Sequence, residues 1–276
     1  MHNPAALSPI IAGAWRLAEW QWTAQQRLAW IEGHLDIGVT SFDHAGIDGG
    51  HSVQALFGEA LALRPALRQR MQIVSNCGIG PAADVRASVE RSLQALRTDH
   101  LDLLLIHRPD ALQDVDALAR AFEALRRDGK VRNFGVSNLA PQQLAPLHRR
   151  LPLVAHQIAL SPLQRNALHD GVLDQCQDLG LRPMAWSPLA GGRIFTAQDD
   201  AAQRLRATLQ AMAAARGISV TTLVIAWVLH HPSRPLPILG SRRIGVAQDA
   251  MAALPLRLDA HAWSQICSAA SGQAMP

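Results

Sequence analysis

The chain has 276 residues, 49% of them hydrophobic, and a net charge of +4 at pH 7, so it can fill one large core. The arginines are scattered rather than arranged in a stripe with interleaved aromatics, which argues against a nucleic-acid partner. No apolar stretch is long enough to span a bilayer, and the N-terminal sequence lacks the regions of a signal peptide. Three widely spaced cysteines, Cys77, Cys176 and Cys267, fit neither a disulfide framework nor a zinc cluster. We therefore expect a cytoplasmic protein with a single domain over residues 1–276.

Short apolar runs alternate with segments of helical period along the whole chain. The predicted strands are Ile10–Gly13, Ser41–Asp43, Ile73–Asn76, Leu101–Ile106, Asn133–Ser137, Val154–Ala159, Pro183–Trp186 and Leu236–Leu239. The predicted helices include Ala24–Ile37, Ser52–Leu63, Asp84–Leu96, Leu112–Arg127, Leu168–Leu179 and Thr221–His230, with Asp84 as an N-cap and Gly180 as a C-terminal stop. Eight such alternations in a chain of this length favour an α/β fold of the (β/α)8 TIM-barrel type over an open doubly wound sheet. No G-x-G-x-x-G follows the first strand, which further weakens the doubly wound alternative.

Two carboxylates lie where the second predicted strand opens into a glycine-rich loop. Asp43 ends the strand, and Asp48 follows in "DHAGIDGG". TIM-barrel enzymes keep their active sites at the C-terminal ends of the strands. Burial and a neighbouring carboxylate both raise a carboxyl pKa, so the two acids are candidates to share one proton near neutral pH.

Polar groups follow nearly every predicted strand and together predict a lined pocket, although each alone is more simply a solvated loop residue. The set comprises Gly13–Arg16, Asp43, Asp48, Asn76, His107–Asp110, Ser137, Asn138, His156, Gln157, Trp186–Pro188 and Gly240–Arg243. Barrels often bind phosphate on the loops after strands seven and eight, which read "SPLAGGR" and "GSRR" here. Guanidinium groups form bidentate bonds to phosphate oxygens, so Arg242 and Arg243 suit that role.

The sequence resembles the aldo-keto reductase superfamily, and within it the bacterial YdhF-type oxidoreductases. The resemblance covers nearly the whole chain and rests on "GVTSFDHA", "GGHSVQALFGEAL", "TDHLDLLLIHRPD", "GKVRNFGVSN", "RPMAWSPLAGGRIF" and "PLPILGSRRI". It implies a (β/α)8 barrel that binds NADP(H) and reduces a small aldehyde or ketone. Members of this family use a tetrad of Asp, Tyr, Lys and His, in which the Tyr donates a proton and the Lys and Asp tune its pKa.

Only two members of that tetrad match. Asp43 matches the family Asp and His107 the family His, whereas Asp48 stands at the tyrosine position and Asn76 at the lysine position. The chain contains no tyrosine, so no neighbouring phenol can substitute. Its one lysine, Lys130, lies in a turn that leads into a strand and is therefore expected at the opposite end of the barrel.

The cofactor positions match more completely. The resemblance implies that the nicotinamide amide is held by Ser137, Asn138 and Gln157, that the ring stacks on Trp186, and that the phosphates lie against the two loops named above. The residues implied there are Ser187, Leu189, Gly191, Arg193, Gly240, Ser241, Arg242 and Arg243. Trp15 and Arg16, after the first strand, are the candidate substrate contacts.

Three hypotheses remain open for the incomplete tetrad. In the first, the chain is a weakened or altered reductase in which His107 or the Asp43–Asp48 pair donates the proton. In the second, it binds NADP(H) as a sensor or scaffold without hydride transfer. The third is a metal site formed by Asp43, Asp48, His107 and His51, which no tight ligand spacing supports. Asp48 also has a plainer interpretation as a solvated loop residue.

Overall fold

The computed structural model describes residues 7–44, 51–78, 82–108 and 114–273, which form a closed parallel barrel. Its strands are β1 (Ile11–Gly13), β2 (Ser41–His44), β3 (Gln72–Cys77), β4 (Leu101–Ile106), β5 (Val131–Ser137), β6 (Leu153–Ala159), β7 (Arg182–Trp186) and β8 (Leu236–Leu239). Each strand pairs in parallel with the next, and β1 also pairs with β8, which closes the cylinder. The predicted (β/α)8 barrel is confirmed.

Helices cover the outside of this barrel. They are α1 (Ala24–Asp36), α2 (His51–Ala62), α3 (Ala82–Leu96), α4 (Val115–Arg127), α5 (Pro141–His148), α6 (Val172–Leu179), α7 (Arg193–Thr196), α8 (Asp200–Ala214), α9 (Val220–Leu229), α10 (Ile244–Ala252) and α11 (Ala260–Ser271). Short polar side chains cap several of them. Asp114, for example, accepts hydrogen bonds from two backbone N–H groups of the first turn of α4. Across the described ranges, no helix has the length and apolar character needed to cross a membrane.

Three helix starts differ from the sequence prediction by two residues or more. Helix α3 begins at Ala82, so the prediction of Asp84 as its N-cap is wrong; the two alanines before Asp84 favour helix strongly and extend it. Helix α6 begins at Val172 rather than Leu168, because Gly171 has a φ of 82°, which interrupts a right-handed helix. Gly180 does end this helix with a φ of 66°, as predicted. Helix α4 begins at Val115 rather than Leu112, because Asp114 has an extended backbone and caps it; residues 112 and 113 lie outside the described part of the chain.

The strands separate two apolar cores. Side chains that point outward pack under the helices, where Phe42 and Phe57 lie 5.5 Å apart between β2 and α2. Those that point inward fill the barrel with Ile11, Val74, Leu103, Leu105, Ala155, Met184, Leu236 and Ile238. Because the interior is packed with these aliphatic groups, any binding site must lie above them at one end of the cylinder.

A partly buried ion cluster lies near the N-terminal end of the barrel, on the outward-facing side of β4. The carboxylate of Asp102 on β4 accepts hydrogen bonds from Arg68, from Arg132 and from the backbone N–H of Ile73 at 2.8, 3.0 and 2.9 Å. Lys130 lies at this same end, just before β5, and its Nζ donates to Glu90 Oε1 at 2.6 Å. As expected from the sequence, Lys130 therefore lies at the end of the barrel opposite the C-terminal mouth.

Candidate active site

The strand register shows which polar side chains point into the barrel. Asp43 pairs with Gly13 on β1 and with Val74 on β3, and Val74 belongs to the interior core. Paired residues of neighbouring strands face the same side, so Asp43 also points inward. By the same alternation Asn76 lies on the interior side of β3, two residues beyond Val74. These polar groups therefore form a layer above the apolar interior, at the C-terminal ends of the strands.

A hydrogen bond crosses this layer from one side of the barrel to the other. Gln157 on β6 pairs in register with the interior residue Met184, and its Nε2 donates to Asp43 Oδ2 at 3.0 Å. Strands β2 and β6 lie on opposite sides of the closed eight-stranded sheet. The Asp43–Gln157 bond thus forms the polar floor of the C-terminal mouth.

The environment of Asp43 disfavours its charged form. Part of the residue reaches solvent, yet its Oδ1 is buried and has no hydrogen-bond partner among the described residues. Burial raises the pKa of Asp43 from an ordinary 3.8 to about 7, and the hydrogen bond from Gln157 opposes this rise. No charged side chain within the described ranges contributes to this pKa. The carboxyl group therefore changes protonation state close to neutral pH.

Three further hydrogen bonds extend the floor in one direction toward the rim. Trp186 Nε1 donates to Asn138 Oδ1 at 3.1 Å, Asn138 Nδ2 donates to Ser137 Oγ at 2.9 Å, and Ser137 donates to Gln157 Oε1 at 3.1 Å. We call Trp186, Asn138, Ser137, Gln157 and Asp43 the polar row. At its outer end the indole of Trp186 is 39% exposed, so a planar group can stack on it.

A buried histidine positions the turn that carries the polar row. Asn138 has a φ of 57°, in the left-handed region that asparagine tolerates better than most residues. The next backbone N–H, that of Leu139, donates to Nε2 of His156 at 3.2 Å. Burial lowers the pKa of His156 to about 4, so the ring is neutral and can accept this bond. His156 thus supports the Asn138 turn.

The loop after β7, at the C-terminal end of the barrel, has an open backbone. Ser187, Ala190, Gly191 and Gly192 all have positive φ values, from 51° to 94°. Nothing lies within 4 Å of where a Cβ would stand at Gly191 or Gly192, so the backbone is open to an approaching group. Arg193, which follows, is engaged in an exposed ion pair with Asp199 at 3.0 Å.

The loop after β8 presents two arginines. Trp30 Nε1 donates to the carbonyl of Ser241 at 3.1 Å, and Ser241 Oγ accepts from the backbone N–H of Arg243 at 3.1 Å, which holds the loop against α1. Arg242 and Arg243 are both exposed at the start of α10. Within the described part of the chain, neither guanidinium has an ion-pair partner, so both are available to an anion.

The tryptophans after β1 divide into two groups. Trp15 is 47% exposed, lies over Gly240 at the end of β8, and carries the Arg16 guanidinium 4.7 Å from its ring centroid. Trp20 and Trp22 instead pack with each other, at 4.8 Å, and against the outer core. Trp15 and Arg16 thus lie beside the mouth, whereas Trp20 and Trp22 are structural.

His107 follows β4 at the rim, where its backbone N–H donates to Cys77 O at 3.1 Å. Asp48 and Asp110 lie outside the described residues, so their predicted places are not tested. Among the residues that the structure describes, no group of three or more metal-ligating side chains comes together. The four-residue metal set also includes Asp48, and the side chain of His51 is likewise not described.

Comparison with known proteins decides the family. The model of the Aldo/keto reductase family matches residues 9–271. This chain belongs to that family. The oxidoreductase YdhF of Escherichia coli strain K12 is 48% identical over 286 aligned residues, which cover 98% of this chain and 95% of YdhF.

Two other family members bear on the site. The 6-dehydroglucose reductase of Novosphingobium aromaticivorans is 38% identical over 290 aligned residues, covering all of this chain and 95% of that protein. An aldo/keto reductase from Klebsiella pneumoniae, crystallised with NADP and acetate, superposes with a TM-score of 0.83 at 30% identity, covering 94% of this chain and 90% of that one. The whole barrel, not one segment, is therefore shared with the family.

Sequence reasoning alone missed the bond between Asp43 and Gln157. The two residues are 114 positions apart, and no local pattern links them. Strand alternation would have assigned Gln157 to the interior, two residues beyond Ala155, and Asp43 to the side opposite the outward-packed Phe42. Only the three-dimensional structure reveals that Oδ1 of Asp43 is buried without a hydrogen-bond partner among the described residues.

Proposed function

We propose that this chain is an NADP(H)-dependent reductase that acts on a small carbonyl-type substrate, with ordinary aldehyde and ketone reduction weakened by its incomplete tetrad. The observation that carries the proposal is the polar row, which runs from the exposed indole of Trp186 to the carboxyl group of Asp43. The NADP complex of the Klebsiella relative and the reductase name of the Novosphingobium relative support the cofactor and the reaction class. A single domain and a cytoplasmic location stay predictions, and three buried free thiols support the latter.

The chemistry of the row suits a nicotinamide. A carboxamide carries one acceptor oxygen and two N–H donors, and Ser137, Asn138 and Gln157 offer both kinds of group side by side. The partly exposed indole of Trp186 gives the aromatic ring a flat surface beside them. In this proposal these residues orient the ring, and the reduced cofactor supplies a hydride.

The loops after β7 and β8 suit the phosphates. The open backbone of Gly191 and Gly192 can approach a pyrophosphate closely. Arg242 and Arg243 are exposed and, among described residues, unpaired, so a 2′-phosphate would gain charge-assisted hydrogen bonds that NADH cannot form. The proposal therefore includes a preference for NADPH.

Proton delivery is the altered part of the site. A carbonyl oxygen must receive a proton as hydride adds to its carbon, and a positioned acid contributes about 10²–10⁴-fold to such a step. With no tyrosine in the chain, the candidates are Asp43, whose pKa of about 7 leaves it partly protonated near neutrality, and His107 at the rim. Asp48 remains a candidate from the sequence.

Cofactor binding is tested by calorimetry with NADPH and NADH. We expect NADPH to bind more tightly, and Arg242→Gln/Arg243→Gln to remove the difference, with a loss of about tenfold to a hundredfold for NADPH alone. The control is Arg64→Gln/Arg70→Gln, which removes the same charge from two exposed arginines that precede β3 at the opposite end of the barrel. Equal affinity of the wild type for the two cofactors would contradict the proposed phosphate site.

Turnover is tested by NADPH oxidation with a panel of small aldehydes and ketones. We expect slow reduction that falls further in Asp43→Asn and His107→Ala. Unchanged rates in both variants would remove these residues from proton delivery. Tight NADPH binding without oxidation across the panel would instead favour a cofactor-binding protein that does not reduce carbonyls.

A further inference from the structure

No cation among the described residues pairs with the carboxyl group of Asp43 in the mouth. Its Oδ1 is buried and unpartnered among the described residues, and its Oδ2 accepts only a neutral amide N–H, that of Gln157. The single lysine of the chain is committed to Glu90 at the other end of the barrel. A buried carboxylate without a positive partner is costly, so the site gains free energy from any cation that reaches it.

We propose that the preferred substrate class of this site is an iminium ion, a carbon–nitrogen double bond that already carries a positive charge, bound against the carboxylate of Asp43. The inference rests on the proposed NADPH-dependent reductase activity and specifies its substrate. It follows from two features of the mouth: an acidic group that lacks a cation, and the absence of the phenol that a carbonyl oxygen would need.

The reaction balances without a proton donor. A hydride from the reduced cofactor forms a C–H bond at the iminium carbon, and the π electron pair of the C=N bond becomes the nitrogen lone pair. The products are a neutral amine and oxidised cofactor, and no proton is consumed. A ketone would instead form an alkoxide, a strong base that requires a positioned acid. The loss of that acid penalises a ketone and leaves an iminium ion unaffected.

A neutral imine fits the same site through Asp43. Imine nitrogen is basic near neutral pH, unlike a carbonyl oxygen, so the protonated carboxyl group can transfer its proton to nitrogen before hydride arrives. The raised pKa of Asp43, about 7, matches this exchange. The product is the iminium–carboxylate pair described above, and the proton comes ultimately from solvent.

Within the ranges that the structure describes, the groups around Asp43 leave its negative charge uncompensated. Its register partners on β1 and β3 are Gly13 and Val74, and the interior position above Val74 is the neutral Asn76. His44, the next residue, belongs to the outward-facing set, lies 4.4 Å from the ring of Phe57, and has its pKa lowered by burial to about 3. Other charged or titratable groups at the described strand ends include Arg16 after β1, His107 and Arg108 after β4, and the neutral His156; none of them contributes to the pKa shift of Asp43. A cation is therefore expected to displace a proton from Asp43 rather than from these histidines.

The first arm of the test measures cation binding without turnover. N,N-dimethylpyrrolidinium is a permanent cation with no reducible bond, and its binding to the apo and the NADP⁺-loaded protein is measured by calorimetry at pH 6 and pH 8. We expect tighter binding at pH 8 than at pH 6, with proton release at pH 6, because cation binding lowers the pKa of Asp43. Asp43→Asn is expected to weaken binding at pH 8 at least about tenfold. The matched control is Asp36→Asn, which changes an exposed aspartate at the end of α1.

A second variant tests the same carboxylate by adding a positive charge beside it instead of removing its negative charge. Asn76→Lys introduces an ammonium group on the interior face of β3, next to the strand that carries Asp43. The new ammonium group is expected to form an ion pair with the carboxylate of Asp43 and so to abolish binding of N,N-dimethylpyrrolidinium. Binding of NADPH is expected to persist. Retained cation binding in both Asp43→Asn and Asn76→Lys would overturn the inference.

The second arm compares substrates of similar size. N-methyl-3,4-dihydroisoquinolinium and 1-tetralone are offered with NADPH, and rates are corrected for reaction without protein. We expect kcat/KM for the iminium ion to exceed that for the ketone at least about a hundredfold, since only the ketone needs the missing acid. Asp43→Asn should raise KM for the iminium ion without lowering kcat, because the carboxylate binds the charged ground state.

The outcomes separate this inference from the proposed function. Efficient ketone reduction, or an iminium KM that Asp43→Asn leaves unchanged, would overturn the iminium assignment and leave an NADPH-dependent reductase in place. Failure of NADPH to bind would overturn the proposed function, and the apo-protein arm would still decide whether Asp43 holds a cation.

Discussion

Replacing Asp43 by Asn should stabilise the fold at alkaline pH and flatten its pH dependence. In the folded protein the pKa of Asp43 is raised from 3.8 to about 7, chiefly by burial. Between these two values the folded state holds a proton that the unfolded state has released, so the free energy of unfolding falls as pH rises from about 4 to about 7. An Asn side chain keeps the acceptor for Gln157 and removes the charge.

The magnitude follows from the gap between the two pKa values. At about 1.36 kcal/mol per pKa unit, that gap corresponds to an upper limit of about 4 kcal/mol. Because part of residue 43 reaches solvent, which screens the charge, we expect roughly half of this, about 2 kcal/mol. The free energy of unfolding of Asp43→Asn should therefore be about 2 kcal/mol higher than that of the wild type at pH 8, and the two should be equal at pH 4.

The assay is urea unfolding of the wild type, Asp43→Asn and the surface control Asp36→Asn at pH 4, 6 and 8. The difference in free energy of unfolding between Asp43→Asn and the wild type should grow from pH 4 to pH 8. Asp36→Asn should show the same pH dependence as the wild type. An Asp43→Asn protein that is less stable than the wild type at pH 8 would refute the reasoning, because it would mean that the ionised carboxylate is stabilised by a partner.

Three further predictions concern the fold and the mouth. Asp102→Ala should cost about 3 kcal/mol in urea unfolding, because it leaves the largely buried Arg68 without its carboxylate partner; a loss below about 1 kcal/mol would make the cluster a minor contributor. Gly58→Ala should destabilise by at least about 1–3 kcal/mol, because its Cβ would stand 2.1 Å from the carbonyl oxygen of Ala95, whereas Gly245→Ala meets nothing within 4 Å and should change stability by less than about 1 kcal/mol. NADPH should quench tryptophan fluorescence saturably, and Trp186→Phe should lose most of that quenching; equal quenching in both proteins would place the ring elsewhere.

The sequence predicts the barrel well because its signals are local. Leu101–Ile106 and Leu236–Leu239 have the predicted bounds, since short apolar runs bounded by polar residues are typical of strands buried on both faces. The start of α3 was wrong by two residues because alanines extend a helix past a good capping residue. The start of α6 was wrong because apolar spacing continued across Gly171, whose left-handed backbone only the structure reveals.

The residues of the candidate site likewise fall into those that local sequence signals indicate and those that only the tertiary structure reveals. Strand ends mark Asn138 and Trp186 as candidate residues of the mouth, because each immediately follows or ends a recognisable strand, and Arg243 lies on the short loop after the apolar run of β8. Tertiary geometry decides the rest: the Asp43–Gln157 bond joins opposite walls of the barrel, and the protonation of Asp43 depends on burial that no short segment determines.

A crystal structure of the chain with NADP⁺ and N,N-dimethylpyrrolidinium would test the central claim most directly. The account predicts the nicotinamide ring on Trp186 with its carboxamide among Ser137, Asn138 and Gln157, the 2′-phosphate at Arg242 and Arg243, and the ammonium nitrogen against the carboxylate of Asp43. A dinucleotide bound away from Trp186, or a cation bound anywhere but beside Asp43, would contradict it.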